Sequence, residues 1–168
     1  MKTENVPVWI KICSLLLGMA VLLTVAGAAA AGEAIPGFSL SSALDGKTVD
    51  SGSFKGKVLL ITFFTTWCPP CREEIPSLIQ LQNDLAAKGF SVIGMSMDEK
   101  GASVVAKLIE KTSINYPVLM ADKKTARDFG GIVGVPTSFL VNREGEVVKR
   151  YPGYVPHSLL EKDINSIL

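Results

Sequence analysis

Seven residues, Val58-Leu59-Leu60-Ile61-Thr62-Phe63-Phe64, form a near-continuous apolar run rich in β formers. A strand of that kind offers no face to water, so it needs cover on both sides and belongs at the centre of a sheet. From about Pro70 to Lys88 the pattern changes to a helical one, with Ile75, Leu78, Ile79, Leu81 and Leu85 recurring at helix spacing. Gly89 closes that helix, and Pro76 inside it predicts a kink or a restart. Phe38-Ser39-Leu40, a turn at Asp45-Gly46 and a short extended piece precede the central run. A strand over Phe90 to Met97, a helix over Val104 to Lys111, a strand at Val118 to Met120 and a helix at Lys123 to Phe129 follow it. Thr137 to Val141 and Val147 to Arg150 read as a hairpin around Asn142-Arg143-Glu144-Gly145. Pro156 opens the last helix. Alternation of this kind predicts an α/β domain with one mixed sheet.

The chain has 168 residues, enough for one ordinary domain and an appendage. A formal charge of +1, with acids and bases mixed, supplies no basic stripe and argues against a nucleic-acid partner. Between Ile12 and Ala31 no residue is charged, while Lys2 and Lys11 precede that run. A basic start, an apolar middle and a small-residue end are the parts of a secretory signal, and Ala26-Gly27-Ala28 and Ala28-Ala29-Ala30 offer cleavage patterns. About 20 apolar residues also suffice for a retained membrane anchor. Residues 1–32 are therefore expected to be a signal peptide or an anchor, and residues 33–168 the folded domain. In both cases the domain is delivered to the outer face of the cytoplasmic membrane or to the periplasm.

Of three cysteines, Cys13 lies in the apolar segment, leaving Cys68 and Cys71 for the folded part. Two residues, Pro69 and Pro70, separate them, where a buried strand gives way to a helix. At that spacing the sulfurs can close a small disulfide loop or remain a dithiol. Cys68 falls at the helix N-terminus, where unpaired N–H groups and the dipole stabilise a thiolate. Cys71, one turn further in, is the more shielded. Cys68 is then the exposed nucleophile and Cys71 the resolving thiol. A zinc site would need two more ligands, for which only His157 and Cys13 remain, so no metal or other cofactor is implied. A structural disulfide closing so short a loop removes little entropy from the unfolded chain.

Val58 to Cys71, with Trp67 directly before the pair and Pro76 beyond it, resembles the active-site strand and helix of the thioredoxin superfamily. Gly134-Val135-Pro136-Thr137, followed by Ser138-Phe139-Leu140-Val141, resembles the superfamily's second motif. The resemblance implies a cis bond before Pro136, which faces the cysteines, while the backbone of Val135 pairs with a bound substrate strand. It implies that Trp67 packs over the pair and shapes the docking surface. Ile35-Pro36-Gly37-Phe38-Ser39-Leu40, Phe54-Lys55-Gly56-Lys57-Val58 and the unit around Ala102 to Thr112 narrow the match to exported or membrane-tethered members, including cytochrome c maturation thioredoxins. The implied architecture is a thioredoxin-like fold: a central mixed β-sheet flanked by helices, with an N-terminal extension and an inserted strand–helix unit. The implied activity is thiol–disulfide exchange with protein substrates at Cys68 and Cys71, with a membrane thiol donor restoring the dithiol.

The sequence departs from cytosolic thioredoxin at Thr62, where a buried carboxylate would stand six residues before the first cysteine. Glu74 lies three residues beyond Cys71, so one helical turn brings its carboxylate back towards that sulfur. In exported relatives a glutamate at this offset is the acid/base; the alternative is a solvated charge like Glu73. Pro69 and Pro70 carry no N–H, so fewer donors face a Cys68 thiolate, which leans the pair towards reduction. Two rivals share the fold. A peroxidase of the peroxiredoxin type wants proline, threonine and cysteine at fixed offsets. Thr65 fits that pattern and Ile61, at the proline position, does not. A copper-delivery protein wants three residues between the cysteines and a distant histidine, for which His157 is the sole candidate.

Overall fold

A computed structural model describes residues 32–168. The expectations for residues 1–31, Cys13 among them, lie outside the described residues. In chain order the strands and helices are β1 (Glu33–Ala34), β2 (Ser39–Ser41), β3 (Thr48–Asp50), β4 (Val58–Phe64), α1 (Pro69–Leu85), β5 (Phe90–Ser96), α2 (Ala102–Thr112), β6 (Val118–Met120), α3 (Lys123–Asp128), β7 (Thr137–Val141), β8 (Glu146–Pro152) and α4 (His157–Asn165). Six strands form one sheet in the order β1-β8-β7-β4-β5-β6, and β2 pairs with β3 in a separate ribbon. β4 runs parallel to β5 and antiparallel to β7, so the sheet is mixed as the sequence predicts. A parallel neighbour demands a long crossover, and α1 supplies it.

All seven residues of β4 are buried. Their alternation assigns Val58, Leu60 and Phe64 to one apolar core and Leu59, Ile61 and Phe63 to the other. The first core also takes Ile75, Leu78, Leu81 and Leu85 of α1, Val105 and Ile109 of α2, and Leu160 and Ile164 of α4. The second is closed by Phe129 after α3 and by Phe38 and Phe54 near the β2–β3 ribbon. There Phe63 meets Phe129 and Phe139 edge-on, at centroid distances of 5.1 and 6.0 Å.

Helix α1 passes through Pro76 without a restart, although the ring removes the N–H that would reach back to Arg72. Gly89, at φ 86°, caps the short 3-10 turn that follows. Gly94 in the middle of β5 is a close-approach position: a Cβ there would lie 3.2 Å from the Phe64 ring. Pro156 is the residue before α4 rather than its first turn. Truncating Phe63 to alanine removes a ring that packs edge-on against both Phe129 and Phe139. Urea unfolding of Phe63→Ala should show a loss of about 3–5 kcal/mol against the parent protein.

Candidate active site

The loop Thr65–Trp67 carries the chain from the end of β4 to Cys68, the residue that caps α1. Cys68 has an extended backbone (φ −80°, ψ 114°), and Pro69 and Pro70 fill the first turn, where a missing N–H does no harm. Its sulfur accepts the Cys71 N–H at 3.3 Å. The two cysteines are joined as a disulfide with their Cα atoms 5.3 Å apart. Both are buried: Cys68 is 4 % exposed and Cys71 3 %. Cys68 therefore does not stand out in solvent as the sequence suggests, because the first turn of α1 and the Val135 segment cover it. Its asymmetry with Cys71 lies in what each sulfur's residue borders.

Cys68 borders an open groove of about 500 Å³ with Thr65, Trp67, Met97, Ile132, Val133 and Val135. No charged side chain lines this groove. Trp67 projects from the surface, 70 % exposed, at the edge of this groove, and Val133 is 99 % exposed. The Val135–Pro136 bond is cis, and the Val135 carbonyl oxygen lies 3.7 Å from the Cys68 sulfur. Thr137 Oγ1 donates to Gly134 O at 2.7 Å, and Gly153 N–H donates to Pro136 O at 2.8 Å, which pins the segment.

Cys71 faces the other way. It shares a cavity of about 10 Å³ with Thr62, Phe64, Glu74, Leu78 and Tyr116, on the margin of holding one water. Glu74 is 3 % exposed, so it is not a solvated charge like Glu73. Its Oε1 accepts the Val155 N–H at 2.7 Å, which ties α1 to the segment before α4. Burial disfavours the carboxylate and raises the Glu74 pKa from 4.5 to about 7, opposed by the Val155 N–H and assisted by the charge of Glu73. Burial and the Glu74 charge also push the Tyr116 phenol up. Thr62 points at this cavity, but its hydroxyl accepts from Ser138 Oγ at 2.9 Å.

Asp98, just beyond the end of β5, is a site residue that the sequence analysis does not single out. It is buried, and its carboxylate accepts from Thr66 N–H at 2.9 Å, Thr66 Oγ1 at 2.6 Å and Ser96 Oγ at 2.9 Å. It holds the loop that delivers Cys68. The available signal was its position directly beyond the end of a buried strand parallel to β4, since sites gather at such strand ends. Among the described residues no cluster of three or more His, Cys, Asp or Glu could hold a metal ion, and no helix is long and apolar enough to cross a membrane. His157 Nδ1 instead lies 2.9 Å from Ser77 Oγ.

The family model described as Redoxin matches residues 30–168. The chain belongs to the Redoxin family. The redoxin domain is similar to the thiol-disulfide oxidoreductase ResA of Bacillus subtilis, 29% identical over 136 residues, or 81% of this chain and 75% of the relative. ResA of Bacillus cereus strain ZK is 31% identical over 137 residues, covering 81% and 78%. Among solved structures, a thiol:disulfide interchange protein of the thioredoxin family from Chlorobium tepidum superposes with a TM-score of 0.76 at 36% identity, covering 83% of this chain and 99% of the other. A thiol:disulfide interchange protein from Bacteroides sp. gives a TM-score of 0.69 at 31% identity, covering 81% and 91%. The fold is thioredoxin-like, and the redoxin is a thiol–disulfide oxidoreductase.

The burial of Glu74 has a consequence in the oxidised protein, where neither Cys68 nor Cys71 can titrate. A carboxyl raised from 4.5 to about 7 holds its proton more tightly in the folded state. Its contribution to stability is complete below pH 4.5 and is lost as pH rises to about 7, by at most about 3 kcal/mol. Urea unfolding across that range should therefore show the wild type losing stability relative to Glu74→Gln. A difference that stays constant with pH would contradict the raised value.

Proposed function

We propose that this protein reduces disulfides in exported proteins, with Cys68 as nucleophile, Cys71 as resolving thiol and Glu74 as the proton handler for Cys71. The observation that carries this reading is the two-sided disulfide: the Cys68 side opens on an uncharged groove, and the Cys71 side on a closed cavity with a buried carboxylate. A client disulfide entering the groove meets Cys68 first. The Cys68 thiolate attacks one client sulfur, forming a mixed disulfide and releasing the other as a thiolate. Cys71 then gives its proton to Glu74 and attacks the Cys68 sulfur. The second client thiolate leaves and the Cys68–Cys71 disulfide closes. The two electrons that reduced the client came from the dithiol, so a thiol donor, membrane-bound in this reading, must restore it.

Val135, Pro136 and Trp67 form the docking surface. Among the described residues the Val135 N–H has no hydrogen-bond partner, which leaves it free to pair with an extended client segment beside the sulfur. A carboxyl with a pKa of about 7 suits proton transfer at neutral pH, because it takes and returns a proton with little penalty. Residues 1–32, as signal peptide or anchor, place the domain outside the cytoplasm. Haem-attachment thiols of exported apocytochromes c are one client class that fits both the location and the chemistry.

Two measurements test the reading. Equilibration with glutathione should give a potential near thioredoxin's, about −270 mV; a value above about −180 mV would make the pair an oxidant and overturn the direction. Glu74→Gln should slow disulfide exchange by about 10–100-fold near neutral pH, as loss of a general acid/base does, and shift the titration of Cys71. An unchanged rate and titration would remove Glu74 from the mechanism.

A further inference from the structure

Thr65 sits between β4 and the cysteine pair and has no part in the exchange described above. It is 4 % exposed, and among the described residues its hydroxyl is the one buried side-chain oxygen or nitrogen without a hydrogen-bond partner. Nearby hydroxyls do not share this condition. Buried Thr62 pairs with Ser138, and half-buried Thr66 with Asp98. Buried hydroxyls are almost always paired, since desolvating one without a partner is unfavourable. The unpartnered hydroxyl is therefore local to the catalytic loop.

A candidate acceptor lies on the same loop. The Cys68 N–H donates to Thr65 O at 3.3 Å, so Thr65 and Cys68 are the two ends of a single turn. Both residues border the same groove. In the oxidised protein the Cys68 sulfur is bonded to Cys71 and is a weak acceptor. Once the disulfide opens, that sulfur carries a full negative charge and becomes a strong one. The helix start is also short of donors: Pro69 and Pro70 have no N–H, leaving the Cys71 N–H as the donor on the Cys68 sulfur.

We propose that the Thr65 hydroxyl donates a hydrogen bond to the Cys68 thiolate that forms when the disulfide opens. The proposal rests on the reading of Cys68 as nucleophile. On reduction, one thiolate of a donor dithiol attacks Cys68, and Cys71 leaves with the S–S electron pair and takes a proton. The second donor thiolate then attacks the first donor sulfur, and Cys68 leaves as a thiolate facing Thr65. The donor ends as a disulfide. Thr65 thus stabilises the reduced form, lowers the pH at which Cys68 ionises, and makes up part of the donor deficit left by the two prolines.

The test compares full-length wild type, Thr65→Val and Thr65→Ser. Iodoacetamide labelling of the reduced proteins is followed by mass spectrometry against pH, and each protein is equilibrated with glutathione. Cys68 should label first in all three. In Thr65→Val its titration should move to higher pH and the equilibrium should shift about five-fold towards the disulfide, the loss of one hydrogen bond. Thr65→Ser, which keeps the hydroxyl, should stay with the wild type. Oxidised Thr65→Val should unfold at a temperature no lower than the wild type, because a hydroxyl unpaired in that state is what it lacks. A Thr65→Val protein that titrates and equilibrates like the wild type overturns the proposal alone. Labelling of Cys71 before Cys68 in the wild type overturns the nucleophile assignment and the proposal with it.

Discussion

Burial of β4 on both faces is the constraint on which the rest of the molecule depends. A strand without a wet side must be roofed twice. Its alternating residues therefore commit Val58, Leu60 and Phe64 to the core under α1, α2 and α4, and Leu59, Ile61 and Phe63 to the core closed by Phe129 and Phe38. The chain leaves that strand with both cores already fixed. Thr65, Thr66 and Trp67 cross from it to Cys68 over a gap held on the far side by Asp98. The position of the sulfur is thus set by the centre of the sheet, through a loop too short to wander.

The same two-sidedness reappears at the disulfide. One side opens on an apolar groove free of charged side chains, with the Val135 carbonyl 3.7 Å from the Cys68 sulfur. The other closes on a cavity that barely admits water, where the Glu74 carboxyl sits with its pKa raised. Exchange chemistry needs this division. The sulfur that meets a client must be reachable through a shaped surface, and the sulfur that ends the encounter must wait in a place where its proton can be held. Thr65 adds a second unpaired group on the Cys68 side.

The local signals in the sequence were sufficient for most of the frame. β4, β6 and β7 run where the apolar runs place them, Gly89 stops the α1 region, and Cys68 caps that helix. Such features depend on neighbours within a turn or a strand. The features that escaped depend on partners far along the chain. Glu74 is buried because Val155, 81 residues on, supplies its N–H; spacing on α1 alone leaves a surface charge equally open. Asp98 gains its role from Thr66, 32 residues earlier. Cys68 is covered by the Val135 segment, and Trp67 stays exposed at the edge of the groove. Pro76 did not divide α1, since the packing of Ile75, Leu78, Leu81 and Leu85 holds the helix together across the lost bond.

The central claim is that the two cysteines have unequal work, with Cys68 meeting the client and Cys71 releasing it. Trapping in the native compartment tests this most directly. Cys71→Ser should accumulate client proteins joined to Cys68 as mixed disulfides, stable until a reductant is added, because the resolving thiol is gone. Cys68→Ser should accumulate none. Trapped clients on Cys68→Ser and none on Cys71→Ser would contradict the account.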